Sequence, residues 1–183
     1  MTEFRLELPP WAEVTAKRRA HIERVGALIA MWADAMEVPE AERVRWYRAV
    51  SLHDALKDAD RERLRILAPD AWGADSLRHG PAAAARAAQD GESDSGILDA
   101  VRYHSVGYRG WEQVGRMLYL ADFLEPGRNH GGLEVAAAVP HDPRGILREV
   151  ARRRIEMTIA KYRRLLPETV AFWNALCGES SSS

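Results

Sequence analysis

Apolar residues recur at helical spacing along almost the whole chain, and nowhere do they alternate with the two-residue period of a half-buried strand. Within residues 11–36, Ile22, Val25, Leu28, Ile29 and Trp32 form one such stripe. Pro39 sits at a natural first-turn position and opens a second helix reaching Lys57, with Val44, Tyr47, Val50 and Leu52 as its core face. A short helix over 60–68 ends at Pro69. His79-Gly80-Pro81 opens an alanine-rich helix to Ala88, and another runs from Ile97 to about His104. Gln113 to Glu125 is amphipathic, with Val114, Met117, Leu118 and Ala121 inward. Glu125-Pro126-Gly127 starts a loop through Gly132. Residues 142–166 read as one long arginine-rich helix broken by Pro167, and a last short helix ends at Gly178. The pattern therefore predicts an all-α fold of roughly eight or nine helices in one domain spanning 1–178, with a disordered tail over 179–183.

Composition narrows the class of function. The 183 residues suffice for a buried core without disulfides, and the formal net charge of −1 provides no basic field for nucleic acid. The single cysteine, Cys177, reads as a small packing residue and fits a reducing, cytoplasmic setting. No apolar run reaches 18 residues, so no membrane span is expected, and MTEFRLELPPW has no secretory apolar stretch. The arginines at 144, 148, 152–154, 163 and 164 are interleaved with Glu149, Glu156 and Glu168, and read as a solvated face of ion pairs. Exposed apolar residues on the terminal helices leave a homodimer open.

Several polar residues stand where apolar ones belong. His53 and Asp54 lie between Val50, Leu52 and Leu56, and Lys57 follows on the same face. Asp122 interrupts the run Met117-Leu118-Tyr119-Leu120-Ala121 and is followed by Phe123 and Leu124. A carboxylate buried there is costly unless something binds it, and a cation is the simplest partner. His21, His79 and His104 complete a series of imidazoles and carboxylates that suits iron, manganese, zinc or similar divalent ions. Six candidate ligands exceed the need of one tetrahedral ion and could hold two, with Asp54 able to bridge. His130 and His141 fall in loops and read as ordinary solvent or core histidines.

These residues lie in five segments: RRAHIERV (18–25), SLHDALK (51–57), LRHGP (77–81), ILDAVRYHSVG (97–107) and MLYLADFLEPGR (117–128). In this order the chain resembles the HD-domain superfamily of metal-dependent phosphohydrolases, and within it the YqeK family of symmetrical bis(5′-nucleosyl)-tetraphosphatases. The motif-bearing core is 18–128. The resemblance implies a di-iron centre held by His21, His53, Asp54, His79, His104 and Asp122. It implies symmetrical hydrolysis of diadenosine tetraphosphate to two ADP by metal-bound hydroxide. Asp54, Lys57 and His79 would be catalytic, with His79 or a water moving protons. Lys57, Gly80, Ser105, Gly107, Arg109 and Arg128 would contact the substrate. The family's His-Thr-Thr-Gly-Arg appears here as His104-Ser105-Val106-Gly107-Tyr108, with Arg109 next, and a later methionine appears as Trp111. That departure falls in the substrate loop and motivates one alternative, a phosphohydrolase of another nucleotide; a module that binds nucleotide without turnover is a separate alternative, against which the filled ligand positions argue.

Overall fold

The computed structural model describes residues 3–71, 73–128 and 132–178. Among the described residues there are nine α-helices, one short 3-10 helix and no strand. In chain order they are α1 (Ala16–Ala35), α2 (Glu40–His53), α3 (Arg61–Leu67), the 3-10 turn Asp75–Leu77, α4 (His79–Gln89), α5 (Ser95–Tyr103), α6 (Gln113–Leu124), α7 (Gly132–Ala138), α8 (Pro143–Ile159) and α9 (Pro167–Gly178). None of these helices is long and apolar enough to cross a membrane. His130 and the tail 179–183 lie outside the described residues.

Helix α6 is the axis of the molecule. Val114, Gly115 and every residue from Met117 to Leu124 are buried, so its apolar surface runs all round instead of along one stripe. It is therefore surrounded, with α1, α2, α5, α7 and α8 packed on it. Each fully buried Leu, Met or Phe on such a helix contributes about 1.5–3 kcal/mol. Asp122 cannot be turned to water on a helix enclosed in this way, which makes its position a commitment to an internal partner.

The ends of α1 and α2 are fastened together. Thr15 caps α1 through its hydroxyl, which accepts from the Arg18 N–H, and Asp58 accepts from both the Thr15 N–H and hydroxyl at 2.8 Å. The Glu13 N–H donates to Ala55 O, and the Asp58 N–H to Glu13 O. The strand-like strap before α1 thus holds the turn after α2, and α1 begins at Ala16, later than the stripe suggested. For the same reason α2 stops at His53. Asp54 is its C-cap, and residues 54–59 continue in tight turns through Ala55 N–H to Leu52 O and Lys57 N–H to Asp54 O.

The core face of α2 also differs from the sequence reading. Val44 is 53% exposed, because the buried row runs through Arg43, Trp46, Tyr47 and Val50. Arg43 is kept inside by donating to the carbonyls of Val38 and Ala33 and to Asp34. The arginine-rich helix is shorter than expected. It closes on bonds from the Tyr162 N–H to Ile159 O and the Arg163 N–H to Thr158 O, with Tyr162 left-handed at φ 53°. A separate connection over 160–166 then leads to α9. Cys177 is exposed, where the sequence reading expected a packing residue. Helix α7 was not expected from the sequence.

Candidate metal centre

Four imidazoles point the same nitrogen at one spot. His53 Nδ1 donates to Val50 O at 2.8 Å, and His104 Nδ1 to Val101 O at 2.7 Å. His79 Nδ1 donates to Ser76 O at 2.9 Å, and His21 Nδ1 donates to Glu125 Oε1 at 3.1 Å. With Nδ1 donating outward in each ring, Nε2 is the nitrogen left to face the interior, as a lone pair wherever the ring is neutral. Those nitrogens converge on two carboxylates. Asp122 Oδ1 lies 3.1 Å from His21 Nε2. Asp54 Oδ1 lies 3.1 Å from His79 Nε2 and 3.5 Å from His104 Nε2. Asp54 Oδ2 lies 3.5 Å from His21 Nε2 and 3.7 Å from His53 Nε2.

The ligand atoms fall into two groups, each within 4.8 Å: His21, His53 and Asp122, then Asp54, His79 and His104. All six residues are buried. Asp54 turns one oxygen to each group. Two features fit a cation. His53 Nε2 is buried with no hydrogen-bond partner, and His79 Nε2 faces His104 Nε2 at 3.1 Å, lone pair to lone pair. Imidazole and carboxylate donors, each fixed by an outer hydrogen bond, form the donor set of a divalent transition metal.

Electrostatics agree. Burial pushes the His53 imidazole down to about 3 and the His79 imidazole down to about 4, so both rings are neutral near pH 7. Burial works against the charged carboxylates of Asp54 and Asp122. For Asp54 the surrounding imidazoles outweigh it; for Asp122, Arg128, His21 and Arg154 do. Both carboxyls stay well below the usual range. Arg18 also bonds Asp54 Oδ2 at 2.7 Å, while Arg128 and Arg154 bond Asp122 at 2.7 and 2.9 Å. Burial lowers the Lys57 ammonium, against the pull of Asp54 and Asp122, and its Nζ lies 3.2 Å from His79 Nε2.

The expected substrate contacts divide. Lys57, Ser105 and Arg128 reach the centre, Ser105 Oγ lying 3.1 Å from His104 Nε2. Gly80 is buried against the end of α5. A Cβ there would come within 3.0 Å of the Arg102 and Val101 carbonyls, so this glycine lets α4 approach the end of α5. Gly107 turns left-handed at φ 90° against Phe172, and Arg109 is exposed away from the cavities. His79 has Nδ1 on Ser76 O and Nε2 in the cluster.

Sequence reasoning passed over other participants. Glu125, 1% exposed, holds His21 and in turn accepts from Arg24 Nε at 2.5 Å and the Gly127 N–H at 2.7 Å. A second buried carboxylate three residues after Asp122 was the available signal. Arg18 and Arg154 had none, since both sit in arginine-rich stretches. Arg152 and Arg153 do form the expected ion pairs with Glu149, but Arg154 turns inward over Tyr119, 4.2 Å from its ring centre. A cavity of about 630 Å³ opens beside the centre, and Ser76, Ser105 and Arg154 in its wall bond directly to His79, His104 and Asp122.

A helical fold around paired His/Asp groups of this kind defines a class, and comparison with known proteins agrees. Residues 18–142 match the family described as HD domain, and the chain belongs to that family. Among curated relatives, the chain is 26% identical over 152 residues to the symmetrical bis(5′-nucleosyl)-tetraphosphatase of Halalkalibacterium halodurans, covering 78% of this chain and 81% of the relative. It is 28% identical over 141 residues to the protein of the same name from Bacillus subtilis, covering 72% and 76%. A crystal structure of a Clostridium acetobutylicum protein, titled a predicted HD superfamily hydrolase involved in NAD metabolism, shares the fold. Its TM-score is 0.78 at 24% identity, over 91% of this chain and 92% of that one.

Proposed function

We propose that this chain is a metal-dependent phosphohydrolase that splits diadenosine tetraphosphate symmetrically into two ADP. The observation that carries the reading is Asp54, whose two oxygens face two separate His-containing groups. The names of the two curated relatives supply the substrate and the symmetrical cleavage. His21, His53 and Asp122 would hold one divalent ion, and His79 and His104 the other, with Asp54 shared. Iron suits these donors, and manganese is the next choice. Such a pair of ions, when bound, polarises phosphoryl oxygens and lowers the pKa of water.

The chain's own residues do the rest. Lys57 and Arg128 stand at the rim of the ligand groups and can offset the charge of a tetraphosphate as its central anhydride bond breaks. Arg18 and Arg154 hold Asp54 and Asp122 in place. Burial keeps the His53 and His79 imidazoles neutral, so their lone pairs stay available near pH 7. A water oxygen joins an inner phosphorus, its protons leave through solvent, and the two ADP separate. The lone exposed cysteine fits a reducing cytoplasmic compartment.

Product analysis tests the proposal. Metal-loaded protein given diadenosine tetraphosphate should release ADP alone, and ATP with AMP would contradict it. Val106, a cavity-wall residue where the related motif carries threonine, favours one alternative, an HD phosphohydrolase of another nucleotide. A higher kcat/KM for a mono- or triphosphate in a nucleotide panel would establish that alternative.

A further inference from the structure

The 630 Å³ cavity is walled on one side by the segment 73–77 and the turn at 105–106, and on the other by the α8–α9 connection. Its size is that of a small-molecule pocket. Leu77, Val106, Leu165 and Leu166 give it an apolar lining, while Arg154, Thr158 and Arg163 lie along one side. A second cavity of about 170 Å³ shares Ser105, Arg154, Thr158 and Arg163 with it, so these four residues form the divide between the two. Ser105 and Arg154 touch the metal centre directly, which places the divide at the centre's mouth.

The cations here are not of one kind. Arg152 and Arg153 on α8 are neutralised by Glu149 and Glu156. Among the described residues, Arg163 and Arg164 have no carboxylate ion-pair partner, although both line the larger cavity. The turn at Tyr162 fixes where they stand. This tyrosine takes a left-handed conformation that usually falls to glycine, and its N–H and that of Arg163 close the end of α8. An apolar pocket with an unneutralised guanidinium at its mouth suits a ligand that is apolar at one end and polyanionic at the other.

We propose that the α8–α9 connection is the nucleotide-recognition element of this protein: the larger cavity takes a nucleoside against Leu77, Val106 and Leu166, and Arg163 takes the adjoining phosphates. The inference rests on the hydrolase reading above for the class of ligand. It moves substrate selection away from Gly107 and Arg109.

Calorimetric titration of the full chain loaded with Mn²⁺ tests it, using ADP and inorganic pyrophosphate as probes. Wild type should bind both. Arg163→Ala, at an exposed position that cannot disturb the core, should weaken both at least tenfold. Leu166→Trp, which fills the lining, should weaken ADP at least tenfold and leave pyrophosphate within twofold. Arg152→Ala should leave both unchanged. Wild-type protein that binds no ADP, or ADP affinity indifferent to Arg163→Ala, overturns the assignment; that second criterion holds even if Leu166→Trp fails to fold. Protein that shows the expected binding pattern yet leaves diadenosine tetraphosphate intact overturns the proposed hydrolysis and leaves the cavity assignment standing. Full hydrolysis, with ADP binding blind to both substitutions, does the reverse.

Discussion

Replacing Glu125 with glutamine separates what holds the imidazole shell from what binds substrate. The Glu125 carboxylate accepts from His21 Nδ1 at 3.1 Å, Arg24 Nε at 2.5 Å and the Gly127 N–H at 2.7 Å. Glutamine keeps the shape but retains only one oxygen. Its amide N–H₂ must then face a donor, and at least one of the three bonds is lost. If the bond lost is His21's, nothing fixes that ring's tautomer, and its Nε2 is no longer a committed lone pair. Loss of an outer-shell partner of this kind costs about 10–100-fold in metal affinity, or roughly 1.4–2.8 kcal/mol. The loss should be confined to the ion at His21, His53 and Asp122, because Glu125 touches none of Asp54, His79 or His104. The assay is titration of metal-free protein against a competing chelator, with activity measured at saturating metal. One affinity should fall while the other holds, and kcat at saturation should stay within about threefold. Equal weakening of both ions, or lost turnover at full metal occupancy, would refute the reasoning.

Other outcomes follow from the same geometry. In metal-free protein, His53 and His79 titrate near 3 and 4, whereas the unfolded chain binds those protons near 6.5. The depressed values add stability that is present above 6.5 and lost as pH falls toward 4, at up to about 2.7 kcal/mol per pH unit for two protons. Chemical denaturation at several pH values checks this, and a flat profile from 6.5 to 4.5 contradicts it. Lys57→Ala should lower kcat by about 10²-fold with metal content unchanged, as expected for a charge that acts on the developing phosphate; elemental analysis beside steady-state kinetics reads both. Gly80→Ala forces a methyl to within 3.0 Å of two α5 carbonyls and 3.2 Å of the His104 ring. It should destabilise the fold by about 1–3 kcal/mol, measured by thermal unfolding, and unchanged stability would count against this close-approach role.

Much of this molecule was legible from pattern alone, and the failures are physical. Asp122 was readable because a carboxylate in an apolar helical run has to be answered by something, and the structure does bury it against His21, Arg128 and Arg154. The end of α8 was not readable, since Tyr162 stands where a helix stop normally shows glycine. Val44 misled because a valine at nearly the right spacing outscored Arg43, whose burial depends on carbonyls at Val38 and Ala33 that only the tertiary fold brings near. The same blindness hid Arg154. In sequence it is one of three consecutive arginines, and only the packing of α8 on α6 turns it toward Asp122 while its neighbours pair with Glu149. Gly80 and Gly107 stand at a close helix approach and a left-handed turn, which a pattern of residue types does not distinguish from a substrate loop.

Anomalous diffraction from crystals of the metal-loaded protein tests the central claim most directly. The account predicts two peaks about 3.5–4 Å apart. One would be bounded by His21, His53 and Asp122, the other by His79 and His104, with an Asp54 oxygen toward each. A single peak, or two ions with Asp54 bound to neither or to only one, would contradict it.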